Sequence, residues 1–328
     1  MNPVDMLRAL LSTVQEIAAA FPRLFMLLWR KLCDCLRRRT GPDPAVPCLP
    51  ISAGVWLQAD AYLYSQPALM ALGMAVTRDN PDVTLTDAAG NVVGSHDLPA
   101  TPYRLSVLSH NRAPDAPAPG LLVVFTLLTF GAGGTARQAI GSVPINLPVR
   151  AAPGEPTPAS LVWTTPPASG HYCIEIEAVW PDDKFPIDNV GQHNTVIRQA
   201  RRGERVQVHI PIGHSRQGLT QLRVRLDSYR LPERALVRSE REDKAAFAKR
   251  VAAANHPDRF PVDAAWRTAL SRRELSLVAG GSASVDFEAT VPASSAIGDE
   301  QRFNIAVADV SGQRPIGGAT VIIQVAGP

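Results

Sequence analysis

From Ile51 onward the chain keeps a period-two apolar rhythm only in short bursts, each cut off by Gly, Pro, Asn or Asp. Half-buried strands produce that rhythm, because successive side chains point to opposite faces of a sheet. The 29 prolines and 23 glycines punctuate the 328 residues too often for a helical or doubly wound fold. Alternation predicts strands at Ala53–Leu63, Asp82–Thr86, Tyr103–Ser109, Leu121–Phe130, Ser160–Thr164, His171–Val179 and Asn194–Gln199. A second group follows at Val206–Ile210, Leu219–Leu226, Glu274–Leu277, Ser284–Thr290, Phe303–Ala308 and Ala319–Val325.

About seven short strands in roughly 150 residues suits an immunoglobulin-like β-sandwich. The expected fold is therefore mainly β. Two such sandwiches, 51–200 and 201–328, follow an N-terminal helix at 1–40 and a Pro-rich linker at 41–50. A helical insertion at 231–270 interrupts the second. Within it, Pro232-Glu233 opens a charged, Ala-rich helix to Ala254, and Val262–Leu270 reads as a second short helix. Its charges (Arg238, Glu240, Arg241, Glu242, Asp243, Lys244) are expected on a solvated face. The run Leu121–Phe130 is apolar on both faces, so its second face requires cover, from the N-terminal helix or from a dimer partner.

The first 40 residues obey a different period. Leu7, Leu10, Val14, Ile17, Phe21, Leu24 and Leu28 form one apolar seam, and Arg30, Lys31, Arg37, Arg38 and Arg39 form a basic end. Pro22 kinks or splits this helix. Spanning a bilayer would bury Glu16 and Arg23, at roughly 2.5–3.5 kcal/mol for a central Arg. The positive charge follows the apolar stretch, unlike that of a secretory signal. Two roles remain for the segment. It lies on an anionic membrane surface with its basic residues on lipid phosphates, or it packs on protein, in this chain, a second copy or a partner. The expected location is cytoplasmic, at the inner membrane surface, with the cell envelope as the alternative.

Net charge is +3 over the whole chain. Residues 1–40 hold seven Lys/Arg and three Asp/Glu, which gives +4 and leaves −1 for the remainder. That excludes a general nucleic-acid binder. Cys33, Cys35, Cys48 and Cys173 show neither a disulfide framework nor zinc spacing.

Chemistry-bearing patterns are few. His171, Cys173, Glu175 and Glu177 share one face of a strand, but neighbours on one row lie about 7 Å apart and cannot chelate one ion alone. That row reads as a polar outer face. Asp182, Asp183, Asp188, Asn189, Gln192 and Asn194 crowd one loop, where Asx-turns explain them better than Ca²⁺ does. Gly213-His214-Ser215 reads as a turn, Gly280-Gly281-Ser282 reads as a hairpin turn, and Gly131–Gly134 precedes no clear phosphate-binding helix. No nucleophile elbow, zinc motif or Walker loop is present, and no cofactor is called for.

Asn80-Pro81-Asp82-Val83, Trp163, Pro166, Gly170-His171-Tyr172-Cys173 and Asp188-Asn189-Val190-Gly191-Gln192-His193-Asn194 together resemble the bacterial adhesion-type (CARDB-like) immunoglobulin-like domain, over residues 76–200. The stretch Leu275–Pro292 resembles a second immunoglobulin-like domain. The resemblance implies a binding or spacer module. The reading is a non-enzymatic structural or interaction protein, tethered or assembled through its N-terminal helix. Its expected partner is a protein or a second copy, with membrane contact through residues 1–40. The alternatives are an exported or membrane-anchored adhesion-type protein, a Ca²⁺- or small-ligand-binding module, and an accessory domain of a hydrolase.

Overall fold

Leu121, Val123, Phe125 and Leu127 point the same way along one strand, and none is more than 3% exposed. They are the centre of the first of two hydrophobic cores. The computed structural model describes residues 58–128, 137–165, 172–213, 220–231, 244–310 and 315–327. The N-terminal seam (Leu7 to Leu28), its basic set (Arg30 to Arg39), Gly131–Gly134, His171, His214, Ser215 and the charges from Arg238 to Asp243 lie outside the described residues.

The first core is enclosed by β1 (Ala61–Tyr62), β2 (Val83–Thr86), β3 (Pro102–Asn111), β4 (Ala118–Leu128), β5 (Arg137–Leu147), β6 (Thr157–Thr164), β7 (Cys173–Val179) and β8 (Val190–His193). Strands β1 and β2 both pair with β3, as does β6, and the facing sheet runs β5-β4-β7-β8. The chain changes sheets between β3 and β4, again between β5 and β6, and again between β6 and β7. That is the Greek-key crossing of an immunoglobulin-like sandwich. Trp163 and Tyr172 meet edge to face at 5.6 Å within this core.

The second core is built by β9 (Thr195–Ala200), β10 (Arg205–Gly213), β11 (Thr220–Asp227), β12 (Arg267–Leu270), β13 (Glu274–Leu277), β14 (Ser282–Thr290), β15 (Glu300–Asp309) and β16 (Pro315–Val325). Its sheets run β10-β14-β12 and β13-β11-β15-β16-β9, with β9 parallel to β16. Phe287 and Trp266 both pack on Phe303, at 5.0 Å and 5.4 Å between centroids. Only Asn194 separates β8 from β9, so the chain passes between cores without a linker. Leu57–Pro328 accordingly forms one compact unit.

Two sequence expectations change. Arg267–Leu270 is a strand on β14, not part of a second insertion helix. Trp266 is buried in the second core, and its anchor draws the following residues onto the sheet edge. The insertion's helix is present as α2 (Lys244–Ala254). Strand β5 carries no sequence signal strong enough to predict it, because Gly141 and Pro144 interrupt its alternation. It lies at a sheet edge, where Pro is tolerated. Leu122 and Val179 stand opposite each other on the outer face at 37% and 39% exposure, and the N-terminal segment expected to cover β4 lies outside the described residues.

The edge of β8 is closed by a side chain. Helix α1 (Gln66–Ala71) starts at Ser65, whose hydroxyl accepts the Ala68 N–H. Gln66 is fully buried. Its Oε1 accepts the Gln192 N–H at 2.9 Å, and its Nε2 donates to the Gln192 carbonyl at 2.7 Å and the Thr77 carbonyl at 3.0 Å. One amide thus does the work of a strand residue. Gly191 is required beside it, since a Cβ there would lie 2.8 Å from Asn80 Nδ2. Gln66→Leu would strand the Gln192 backbone groups in the interior, so we expect a loss of about 2–3 kcal/mol in urea unfolding.

Candidate functional site: the buried junction between the sandwiches

The segment from Tyr64 to Asn80 runs between the two cores and carries Arg78, a guanidinium only 2% exposed. Arg78 Nη1 donates to Gln192 Oε1 at 2.5 Å, and Nη2 contacts Met70 Sδ at 3.1 Å. Burial pulls its pKa down from the ordinary arginine value, while Cys173, Tyr64 and Glu175 oppose that shift. Gln192 passes the interaction on, donating from Nε2 to Glu175 Oε2 at 2.9 Å. Glu175 also pairs with Arg137. The cation and the carboxylate are thus joined through an amide.

The same residue reaches into the second sandwich through its backbone. The Arg78 N–H donates to Thr320 Oγ1 at 2.6 Å, and Thr320 Oγ1 donates to Asn304 Oδ1 at 2.8 Å. Asn304 Nδ2 then donates to Asp227 Oδ1 at 2.9 Å. Asn194 adds a second tie, receiving the Thr320 N–H on its carbonyl and donating its amide to the Gly318 carbonyl at 2.6 Å. An Arg302–Asp79 ion pair lies beside them. A polar chain therefore runs from Arg137 in one sandwich to Asp227 in the other.

A shallow groove opens next to this chain. The turn after α1 (Gly73, Met74, Ala75, Val76) forms one wall together with Met70. The outer face of β11 and β15 (Arg223, Arg225, Ala306, Ala308) forms the other. Its lining mixes apolar side chains with two arginines and two acids, Asp227 and Asp309, and Arg223 is paired with Glu274. Asp227 has its pKa raised to about 6 by burial. The Asn304 amide and the Tyr229 N–H, both bonded to Asp227, work against that rise.

The row predicted as a polar outer face behaves differently. Cys173 is 3% exposed and Glu175 is 7% exposed, because Arg78 and its neighbours cover that end of β7. Burial pushes the Cys173 thiol up to about 12. The thiol is neutral and unreactive at ordinary pH. Glu177 is half-buried. In the acidic loop, Asp183 Oδ1 accepts the Phe185 N–H in an Asx-turn, and Oδ2 accepts the Ala61 N–H. Asp188 pairs with Arg112. Among the described residues no group of three or more His, Cys, Asp or Glu is set to hold a metal ion. Gly280-Gly281 makes the β13–β14 turn, but it is not the expected hairpin, since β13 pairs with β11 and β14 with β10 and β12.

Sequence reading missed Arg78, Gln66, Thr320 and Asn304. Their only signal is polarity in or beside apolar segments. It also missed His110, whose Nε2 lies 3.0 Å from Asp82 and whose Nδ1 lies 3.6 Å from Glu155. The bond to Asp82 raises its pKa most; burial opposes. Tyr62 stacks on this imidazole at 5.0 Å, and Arg112 lies over the same phenol at 3.9 Å. A carboxylate lies beside each nitrogen, so the ring is held from both sides.

No known family profile matches the chain, and no curated protein matches it. Among solved structures, the CupB2 chaperone of Pseudomonas aeruginosa is 12% identical with a TM-score of 0.25, over 40% of this chain and 53% of that one. A PapD-like domain of human CEP192 is 11% identical with a TM-score of 0.25, over 41% and 82%. A protein of unknown function from Porphyromonas gingivalis W83 is 9% identical with a TM-score of 0.20, over 74% and 100%. At these scores no function carries across.

Two outcomes check the junction. Arg78→Met removes the fork that holds Gln192, and we expect a loss of about 3 kcal/mol. The unfolding of the two cores should then separate in calorimetry, where the natural chain is expected to show one coupled transition for them. For Asp227 the folded pKa lies above the unfolded one, so its stabilising effect is complete near pH 4 and is lost as pH rises to about 6. Asp227→Asn should therefore gain up to about 3 kcal/mol at pH 8 and almost nothing at pH 4, read from urea midpoints.

Proposed function

We propose that this chain is a non-enzymatic interaction protein whose two sandwiches act as one rigid presenting body. The continuous polar chain that runs from the exposed Arg137 through buried Arg78 to buried Asp227 carries this reading. A flexible pair of domains has no need to bury a guanidinium at its joint, a cost of several kcal/mol that the Gln192 bond offsets only in part, since Arg78 Nε has no hydrogen-bond partner among the described residues. His110 lies between two carboxylates and Cys173 is held as a buried thiol. The groove beside Met70 and Arg225 is the contact surface proposed for a protein partner. The resemblance of residues 76–200 to adhesion-type modules fits the same role.

In this reading residues 1–40 supply the attachment. The apolar seam from Leu7 to Leu28 lies on a cytoplasmic-side membrane surface, and Arg30, Lys31, Arg37, Arg38 and Arg39 meet anionic headgroups. Each basic residue near such a surface contributes about 1 kcal/mol. Replacing Arg37, Arg38 and Arg39 with Glu in the full chain should abolish flotation with phosphatidylserine vesicles at low salt. Flotation that persists in this variant and resists high salt would reject the electrostatic tether. A natural chain that never floats would reject membrane attachment and leave helix-to-protein packing.

A further inference from the structure

Backbone register shows which groups of β3 face which neighbour. The Leu108 N–H donates to the Asp82 carbonyl and the Arg112 N–H to the Asp60 carbonyl, so even-numbered residues of β3 bond toward the β1/β2 flank. Odd-numbered residues therefore bond toward β6. Through the pairs Leu108↔Pro158, Ser106↔Ser160, Arg104↔Val162 and Pro102↔Thr164, the even-numbered residues of β6 turn their backbone groups away from β3. Pro158, which has no N–H to offer, fits that open side. Ser160, Val162 and Thr164 direct N–H and C=O outward, and among the described residues no strand pairs with them.

Most other edges among the described strands are defended. Strand β8 is closed by Gln66 and Asn80, and β2 by Val92 and Val93. Strands β9, β10, β12 and β13 carry Arg198, Arg205, Arg267 and Glu274. Charges of this kind are the usual guard against strand addition. Strand β6 (TPASLVWT) has none, and it leaves Val162 65% exposed. Its companion on the same side, β5, has only Arg137, which is engaged with Glu175.

We propose that β6 is a self-pairing edge, joining two copies of this chain antiparallel about a two-fold axis at Val162. The outward groups are self-complementary in that register. Ser160 meets Thr164 of the second copy, Val162 meets its own mate, and about six main-chain hydrogen bonds form, two for each pair. The side chains agree: a hydroxyl pair at either end and a β-branched pair in the centre. No charge lies in either strand to oppose the contact. The nearest one, Arg104 on β3, is three strand spacings from its mate, roughly 14 Å, which exceeds the ~8 Å screening length in physiological salt. The neutrality of the edge favours a second copy over a charged foreign strand. The inference is independent of what residues 1–40 bind.

Sedimentation velocity of the full chain tests it, with Val162→Lys and Val162→Thr alongside. The natural chain and V162T should sediment as dimers, and V162K as a monomer at the same concentration. A second measurement does not depend on V162K folding. A narrow pair places its Cα atoms about 5.5 Å apart, within disulfide reach. V162C should therefore cross-link to itself under mild oxidation, with the natural chain as the blank for Cys33, Cys35 and Cys48. S160C should not, because its counterpart is Thr164. A monomeric natural chain, a dimer that survives V162K, or a dimer in which V162C fails to cross-link would each overturn the proposal.

Discussion

A guanidinium taken out of water organises this molecule. Leaving Arg78 unbridged between two cores would cost several kcal/mol, so the surroundings must supply partners at fixed positions. Gln192 supplies one from the first sandwich, and Glu175 balances the charge at one remove. The Arg78 backbone is held from the other side by Thr320. Each of those residues belongs to a different strand. Satisfying one side chain therefore sets the register of β7, β8 and β16 relative to the segment from Tyr64 to Asn80, and with it the position of α1 and of the groove wall.

The junction also explains why a small helix occurs where a strand might have been added. Strand β8 is a sheet edge in the middle of the molecule, where unpaired N–H and C=O groups would be costly. The Gln66 amide answers both groups of Gln192 without extending the sheet. An added strand would take the space through which Arg78 crosses. The contrast with β6 follows: the interior edge is sealed by an amide, while the exterior edge is left with neutral residues and outward backbone groups.

Polar side chains that attract a chemical reading in isolation prove to be structural in context. Cys173 and Glu175 share a face of β7, but the thiol is buried and the carboxylate is shared between Gln192 and Arg137. His110 is clamped by Asp82 and Glu155 under the stacked Tyr62. The acid groups of the β7–β8 loop cap backbone N–H groups or meet Arg112. Each arrangement trades reactivity for rigidity, which suits the presenting role proposed for the chain.

The mainly β architecture was legible from alternation alone, because Leu121, Val123 and Phe125, or Val285 and Phe287, can occupy a core only from one face of a strand. Turn chemistry marked most strand ends for the same local reason. What period and punctuation do not encode is which distant segments meet. The strand character of Arg267–Leu270 comes from Trp266 seeking the second core, and β5 is held by pairing with β4 despite Gly141 and Pro144. The candidate site was invisible for that reason too: Arg78, Gln192, Thr320 and Asp227 are ordinary polar residues scattered along the chain. Sequence by itself determined the faces that must be buried, since hydrophobic burial follows side-chain direction one strand at a time. Only the tertiary structure decided which polar groups would be buried with them, since a buried hydrogen bond requires a partner whose position depends on the whole packing.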